Sequence, residues 1–137
     1  MLDRALIEKL RVYFDDHREE MVRDLCRLVR VPSVRSEPAP DAPFGVACRD
    51  GLLEAIALFR ENGFEAEAYS GNKYGLVRYG SGAPLICLFA HTDVVPVGDG
   101  WDYTAPFDPI VRDGCIIGRG CGDDKAGVVT SLYLLRA

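Results

Sequence analysis

Features that mark several common functional classes are missing from this sequence of 137 residues. No stretch approaches the roughly 18–20 apolar residues that a membrane-spanning helix requires. The chain has 16 Lys and Arg residues against 21 Asp and Glu residues, so its net charge is −5 and it lacks the basic excess of a nucleic-acid-binding surface. The N-terminal residues are highly charged and contain no apolar signal-peptide core. We therefore predict a soluble, cytoplasmic protein with neither a membrane nor a nucleic acid as its partner.

The cysteines form no Cys-x-x-Cys pair, which argues against a cysteine-ligated structural zinc site. Their odd number also argues against a framework of disulfide bonds. Because free cysteine is among the most often buried residue types, we predict that most of them are small core residues. The five are Cys26, Cys48, Cys87, Cys115 and Cys121.

The composition is that of a globular protein with one core, since 48% of the residues are hydrophobic and 27% are charged. Apolar residues recur at helical spacing in the first half, as at Leu25 and Leu28, and alternate at strand spacing after residue 63. On the first helix, Leu6, Leu10 and either Tyr13 or Phe14 are predicted to face the core. The predicted helices cover residues 3–14, 18–30, 52–59 and 126 onwards, the predicted strands cover 64–69, 74–79 and 85–90, and a hairpin covers 109–117.

The first candidate site follows the run Leu-Ile-Cys-Leu-Phe-Ala at residues 85–90, a pattern typical of a strand covered on both faces. His91 and Asp93 come directly after it and would share one face at the carboxyl end of a central strand, where open α/β sheets place ligands. A neutral imidazole can bind a metal through one nitrogen while a carboxylate orients the other nitrogen. Taken alone, such a pair is more often a cap of the strand end, because short motifs match frequently by chance.

The second candidate site is Gly-Arg-Gly-Cys-Gly-Asp-Asp-Lys at residues 118–125, between the hairpin and the last helix. Its alternating glycines allow a tight backbone and the close approach of other groups. One aspartate would be explained as a helix N-cap, but two aspartates after so flexible a turn are less easily explained. The pattern lacks the Gly-Lys-Ser/Thr ending of a phosphate-binding loop, and its glycines do not have the spacing of a dinucleotide-binding turn.

Together these motifs resemble a known family. The succession His-x-Asp-Val-Val-Pro, Gly-Asp-Gly-Trp, Pro-Phe and Gly-Arg-Gly-x-x-Asp-Asp-Lys resembles zinc-dependent metallopeptidases, among them carnosinase-like Xaa-His dipeptidases, acetylornithine deacetylase and succinyl-diaminopimelate desuccinylase. Leu-Val-Arg-Val-Pro-Ser-Val at 28–34 and Ala-Pro-Phe-Gly at 42–45 are most similar to the bacterial dipeptidase branch. The resemblance implies an α/β fold with a mixed sheet flanked by helices. Residues 1–137 would be the N-terminal part of its catalytic domain, without the remainder of that domain or the lid or dimerisation domain.

The resemblance also implies roles for three residues. His91 matches a ligand of one zinc ion, Asp93 matches the catalytic carboxylate that orients this histidine, and Asp123 matches the aspartate that bridges two metal ions. Two Zn²⁺ ions would occupy the intact site, and Co²⁺ or Mn²⁺ would suit the same ligands. Asp124 and Lys125 are expected to support the turn, and Cys121 stands at a variable position that does not indicate a nucleophile.

The implied reaction is hydrolysis of the peptide or amide bond of a dipeptide or an N-acyl amino acid by a metal-activated water. In the family, the general-base glutamate and the other metal ligands lie farther along the chain than residue 137. His17 does not replace them, because it sits in a charged run that is typical of a solvated helix end or junction. A catalytic zinc ion usually has three protein ligands, so we expect this chain alone to be inactive.

Two further expectations concern how the chain behaves by itself. A different class of function stays open, in which the chain is a short non-catalytic module that binds a partner or a metal only. A sheet without its later strands would also expose an edge and apolar surface, so we expect self-association through the truncated edge.

Overall fold

The computed structural model describes residues 3–137 as four helices and four short strands. No helix within these residues is long and apolar enough to span a membrane. In chain order the elements are α1 (Arg4–Asp16), α2 (Arg18–Val29), α3 (Val46–Glu61), β1 (Glu65–Tyr69), β2 (Tyr74–Arg78), β3 (Ile110–Arg112), β4 (Cys115–Ile117) and α4 (Lys125–Arg136). The α/β class predicted from the sequence is confirmed.

The strands form two separate antiparallel pairs, β1 with β2 and β3 with β4. The turn of the second pair is Asp113-Gly114, where both residues have positive φ angles of 52° and 77°. Such a pair of left-handed residues is what a two-residue hairpin loop needs, and the Asp-Gly signal predicts it from the sequence. A single parallel bridge, between Val34 and Val94, joins the segment after α2 to the candidate site.

The core lies where α2, α3 and α4 meet beside β1. Helical spacing on α2 directs one apolar stripe inward, and the other two helices contribute similar stripes. At the centre of the cluster, Leu58 is 1% exposed while Val29, Leu132 and Tyr133 are completely buried. The phenol group of Tyr133 donates a hydrogen bond of 2.8 Å to Asp24 on α2, which satisfies its one buried polar atom. This packing places the first residue of α4, Lys125, against the end of α2.

The first helix is less buried than its apolar pattern predicts. Leu6 is 50% exposed and Leu10 is half-buried, so the expectation that Leu6 faces the core is wrong. Only the last turns of α1 reach the core, through Tyr13 and Phe14.

The predicted buried strand at residues 85–90 is also wrong. The segment is extended but exposed, with Leu85 at 85%, Ile86 at 82% and Phe89 at 90% exposure. No backbone–backbone hydrogen bond involves it, and no strand of the described chain lies beside it. A strand forms only where a neighbouring strand satisfies its N–H and C=O groups, so apolar composition alone does not produce one.

The cysteines divide into protected and exposed groups, and all five are free thiols. Cys26 and Cys48 are buried and Cys121 is half-buried, whereas Cys87 and Cys115 are exposed. The prediction that most are core residues therefore holds for two of them.

Brief treatment of the folded chain with iodoacetamide should alkylate Cys87 and Cys115 well before the other cysteines, because their side chains are exposed. Burial raises the pKa of Cys121 to about 11, which keeps this thiol protonated and slow. Peptide mass spectrometry at increasing labelling times measures the order.

The control for this experiment is the denatured chain, in which all five thiols should react at similar rates. Protection of Cys87 equal to that of Cys26 in the folded chain would contradict the exposed conformation of residues 85–90.

Candidate metal centre

Two loops that are distant in sequence form one shallow cleft of about 220 Å³. The first loop contributes His91, Asp93, Val94 and Val95, and the second contributes residues 118–123. The structure thus brings the two candidate sites of the sequence to the same place.

His91 lies between the two aspartates that the resemblance assigns to the site. Its Nε2 is 3.0 Å from Oδ1 of Asp123, across 32 positions of sequence. Its Nδ1 is 3.0 Å from the backbone carbonyl oxygen of Asp93 and 3.4 Å from the carboxylate of the same residue. The ring is therefore held chiefly by the Asp93 carbonyl, with the Asp93 carboxylate slightly beyond hydrogen-bond distance.

Both nitrogens of the His91 ring face oxygen atoms that only accept hydrogen bonds. A neutral imidazole has one N–H group, so it can satisfy one of these two acceptors and leaves a lone pair directed at the other. If the N–H group lies on Nδ1, a proton or a metal cation bound at Nε2 removes this conflict, because the lone pair of Nε2 then no longer faces the carboxylate directly. The arrangement is therefore suited to a cation that His91 and Asp123 share.

The electrostatic surroundings of His91 agree with this geometry. Partial burial lowers the pKa of His91, but the carbonyl of Asp93 and the carboxylate of Asp123 outweigh it, so the pKa lies above its ordinary value of 6.5. The Asp123 side chain is 92% exposed, which leaves the cleft open to ions from solvent. Because metal ions and protons compete for the same imidazole nitrogen, surroundings that favour a proton here also favour a divalent cation.

The observed distance of 3.0 Å between Nε2 of His91 and Oδ1 of Asp123 is that of a direct hydrogen bond. Ligand atoms at about 2.0–2.2 Å from a tetrahedral zinc ion lie roughly 3.3–3.6 Å apart, so the two side chains would separate by a few tenths of an ångström to share one ion. Within residues 3–137, however, no group of three or more His, Cys, Asp or Glu side chains is arranged to hold a metal ion. In the described part of the chain, His91 and Asp123 are therefore a pair of candidate ligands and not a complete site.

Gly120 allows the second loop to approach the first. It is buried with a φ angle of +91°, and a Cβ atom placed on it would lie 2.8 Å from Cγ1 of Val94. Only glycine tolerates both the left-handed backbone and this contact. The loop then continues through Asp123 and Asp124, whose peptide bond is cis.

Helix capping does not account for the two consecutive aspartates. Asp124 occupies the N-cap position of α4, but its side chain makes no capping hydrogen bond. The Asp123 side chain points to His91 instead. Asp124 therefore begins the helix without a capping hydrogen bond, and Asp123 takes no part in capping.

Lys125 supports the turn, as the sequence predicts, by a contact that the sequence does not reveal. Its side chain is 1% exposed, and its Nζ donates hydrogen bonds of 2.9 and 2.8 Å to the carbonyl oxygens of Leu28 and Val31. Burial lowers the pKa of Lys125 to about 8, because the charged form is desolvated. The start of α4 is thus attached to the end of α2.

Two other residues that attract attention in the sequence, His17 and Trp101, make only packing and hydrogen-bond contacts away from the cleft. His17 joins α1 to α2 half-buried, with Nδ1 at 2.7 Å from the carbonyl of Tyr13. Trp101 donates a hydrogen bond of 2.9 Å to the carbonyl of Val97 and packs under the guanidinium of Arg119. Neither His17 nor Trp101 lines the cleft.

Cys121 lines the cleft, but its raised pKa disfavours the thiolate that a nucleophile needs. Ser33 is the residue near the site that sequence analysis missed. It is fully buried and contacts the backbone on both sides of Asp93. Its place in the Val-Pro-Ser-Val motif was the only available signal.

Comparison with known proteins identifies related peptidases. Residues 87–137 match the family described as Peptidase family M20/M25/M40. A protein of Staphylococcus epidermidis named "Putative dipeptidase" is 34% identical over 123 residues, which are 88% of this chain and 26% of the relative. The Bacillus subtilis protein named "Putative dipeptidase YtjP" is 34% identical over 121 residues, covering 87% of this chain and 26% of that protein.

A third relative, named as a putative dipeptidase of Staphylococcus aureus (strain USA300), is 33% identical over 131 residues, or 94% of this chain and 27% of the relative. This chain spans about a quarter of the length of these relatives. The resemblance to a metallopeptidase family that the motifs indicate is confirmed.

Replacing Gly120 by alanine should destabilise the folded chain clearly more than the same replacement at Gly100. Both glycines have positive φ angles, +91° and +83°, but an added Cβ at Gly100 meets no atom within 4 Å. The backbone penalty of about 1 kcal/mol is therefore common to both, and the contact with Val94 is an addition at Gly120. Urea denaturation measures the difference, and equal midpoints would contradict the close approach of the two loops.

Proposed function

We propose that this chain, whose residues 87–137 match peptidase family M20/M25/M40, is the N-terminal part of the catalytic domain of a metal-dependent dipeptidase. The names of its relatives support a dipeptidase, and its span of about a quarter of their length supports a part of such an enzyme. The substrate would be a dipeptide or an N-acyl amino acid, and the bond cleaved would be its peptide or amide bond.

The observation that carries the proposal is the pairing of His91 with Asp123. These side chains lie 32 positions apart in sequence, and their ligand atoms face each other at 3.0 Å in an open cleft. Neither loop uses the other's side chain to satisfy its backbone hydrogen bonds. Local loop structure alone therefore does not explain why these two side chains are in contact.

Each residue has a distinct part in the proposed site. His91 would hold the metal, while the carbonyl of Asp93 accepts from Nδ1 and so selects the tautomer that leaves Nε2 free to bind. Asp123 would supply a carboxylate to both metal ions, and its side chain is exposed enough to do so. When bound, the metal pair supplies an acidified water and stabilises the charge that develops on the substrate carbonyl.

The donor set favours Zn²⁺ and also accommodates Co²⁺ or Mn²⁺, since imidazole and carboxylate ligands suit all three. With two ligands in the described residues, the chain alone should bind such ions weakly and hydrolyse dipeptides little or not at all. Turnover comparable to that of an ordinary enzyme would contradict the proposal of an incomplete site. Binding at His91 and Asp123 without turnover is also what a non-catalytic metal-binding module would show, and the sequence that follows in the gene separates these two cases.

The metal ligands are tested by measuring Co²⁺ binding to variants of the chain by equilibrium dialysis. His91→Ala and Asp123→Asn should each weaken binding by about 10-fold or more, because each removes one of few ligands. The matched controls are His17→Ala and Asp124→Asn, which replace the same residue types outside the cleft and should leave binding unchanged. Equal affinity in all four variants would place the metal elsewhere.

Self-association is the second interaction that we propose for the chain. The unpaired apolar segment at residues 85–90 presents both side chains and backbone groups to solvent, which is the usual cause of edge-to-edge pairing. Phe89→Lys should therefore reduce association in sedimentation velocity at increasing protein concentration. Val111→Lys, at another exposed apolar position, should not. Monomeric behaviour of the unmodified chain at all concentrations would contradict this proposal.

A further inference from the structure

Besides the phenol of Tyr133, the polar or charged side chains that are buried among residues 3–137 are those of Ser33 and Lys125, and both residues are hydrogen-bonded to the loops of the candidate metal centre. Buried polar groups are costly unless they are hydrogen-bonded, so their partners indicate what they hold in place. Lys125 holds the turn that carries Asp123, as described above. Ser33 has no role in the proposed reaction.

Ser33 binds the backbone on both sides of Asp93. Its hydroxyl donates a hydrogen bond of 2.5 Å to the carbonyl of Thr92, and its own carbonyl accepts one of 3.0 Å from the N–H of Val94. These two bonds leave Asp93 between them, and the carbonyl of Asp93 is the group that orients His91.

The bonds from Ser33 matter because the preceding chain offers no other anchor. Residues 80–92 take part in no backbone–backbone hydrogen bond, so the first such bond that positions this loop is the one between Val94 and Ser33. His91 thus lies at the end of an exposed segment. Its position is fixed by the hydrogen bonds that Ser33 makes with Thr92 and Val94, the residues that follow it.

One short segment connects both halves of the site. Residues 28–34 accept the two hydrogen bonds of Lys125 at Leu28 and Val31, and the same segment contains Ser33. The N–H of Lys125 also donates to the carbonyl of Gly120, which closes the turn around Asp123. The distance between the His91 and Asp123 side chains is therefore set by residues 28–34, because both loops are hydrogen-bonded to this segment.

Helix α3 restricts the position of Ser33. A Cβ atom on Gly51 would lie 2.8 Å from Cβ of Ser33, and the thiol of Cys48 contacts the Ser33 carbonyl at 3.5 Å. The serine therefore has little room to move away from Thr92.

We propose that Ser33 is a positioning residue of the metal centre, which holds His91 at the distance from Asp123 that a shared cation requires. The inference rests on the proposed function for its metal, but the contact that it concerns exists in the metal-free chain. Removing the Ser33 hydroxyl should release the Thr92 carbonyl and let His91 drift from Asp123.

The test compares His91 ring nitrogen signals by NMR in the metal-free chain at one fixed pH. Asp123→Asn should shift the Nε2 signal in the unmodified background, and this shift should be at least halved in the Ser33→Ala background. Ser33→Cys, which keeps a weak hydrogen-bond donor without adding a methyl group at this packed position, should restore part of it. Ser81→Ala, at an exposed serine, is the control and should leave the shift unchanged. Co²⁺ affinity should fall by about 10-fold in Ser33→Ala, as for other residues that orient a ligand.

An identical effect of Asp123→Asn in the Ser33→Ala and unmodified backgrounds would overturn the inference, because a serine that only packs the core would lower stability without altering this coupling. If Ser33→Ala does not fold, Gly51→Ala decides in its place, since it displaces Ser33 while keeping the hydroxyl. Coupling that depends on Ser33 in a chain that binds no Co²⁺ at His91 would support the positioning role and overturn the proposed metal site.

Discussion

The position of the candidate site depends on a buried ammonium group at the start of α4. Lys125 is removed from water, and such a group is tolerated only where hydrogen-bond acceptors surround it. The carbonyl groups of Leu28, in the last turn of α2, and of Val31, two residues after that helix ends, supply these acceptors. Each of them also accepts a backbone N–H, so Lys125 uses the second lone pair of each oxygen. The two hydrogen bonds satisfy the buried ammonium group and fix Lys125, which stands two residues after Asp123.

The chemistry of the site follows from a conflict between hydrogen-bond acceptors. His91 faces a carbonyl on one side and a carboxylate on the other, and a neutral ring cannot satisfy both. A neutral histidine ring is satisfied when one nitrogen faces an acceptor and the other faces a donor. The two acceptors that face His91 are therefore unlike the surroundings of a histidine with a purely structural role. The arrangement is well suited to a cation, and this geometry agrees with the peptidase family that the motifs and the relatives indicate.

Much of the fold could be predicted from the sequence, and the failures have a common cause. The helix of residues 18–29 and the hairpin at Asp113-Gly114 depend on local spacing and turn chemistry, which a short stretch of sequence contains. The strand expected at residues 85–90 and the inward face expected for Leu6 both require a neighbouring surface. An apolar pattern shows that burial of these side chains would be favourable. Whether they are buried depends on which other parts of the fold pack against them.

For the site, the sequence by itself predicted, through the motifs of the peptidase family, that His91 and Asp123 belong to one site, and the structure brings these two side chains together. The sequence also determined that Gly120 could adopt the backbone that this turn requires. The tertiary structure alone decided the tether through Ser33 and Lys125, since hydrogen bonds between residues 59 and up to 97 positions apart leave no periodic signal in the chain. Local sequence patterns indicate the chemistry and backbone conformations that are open to a residue. Long-range contacts depend instead on which helix ends and loops the packed core brings together.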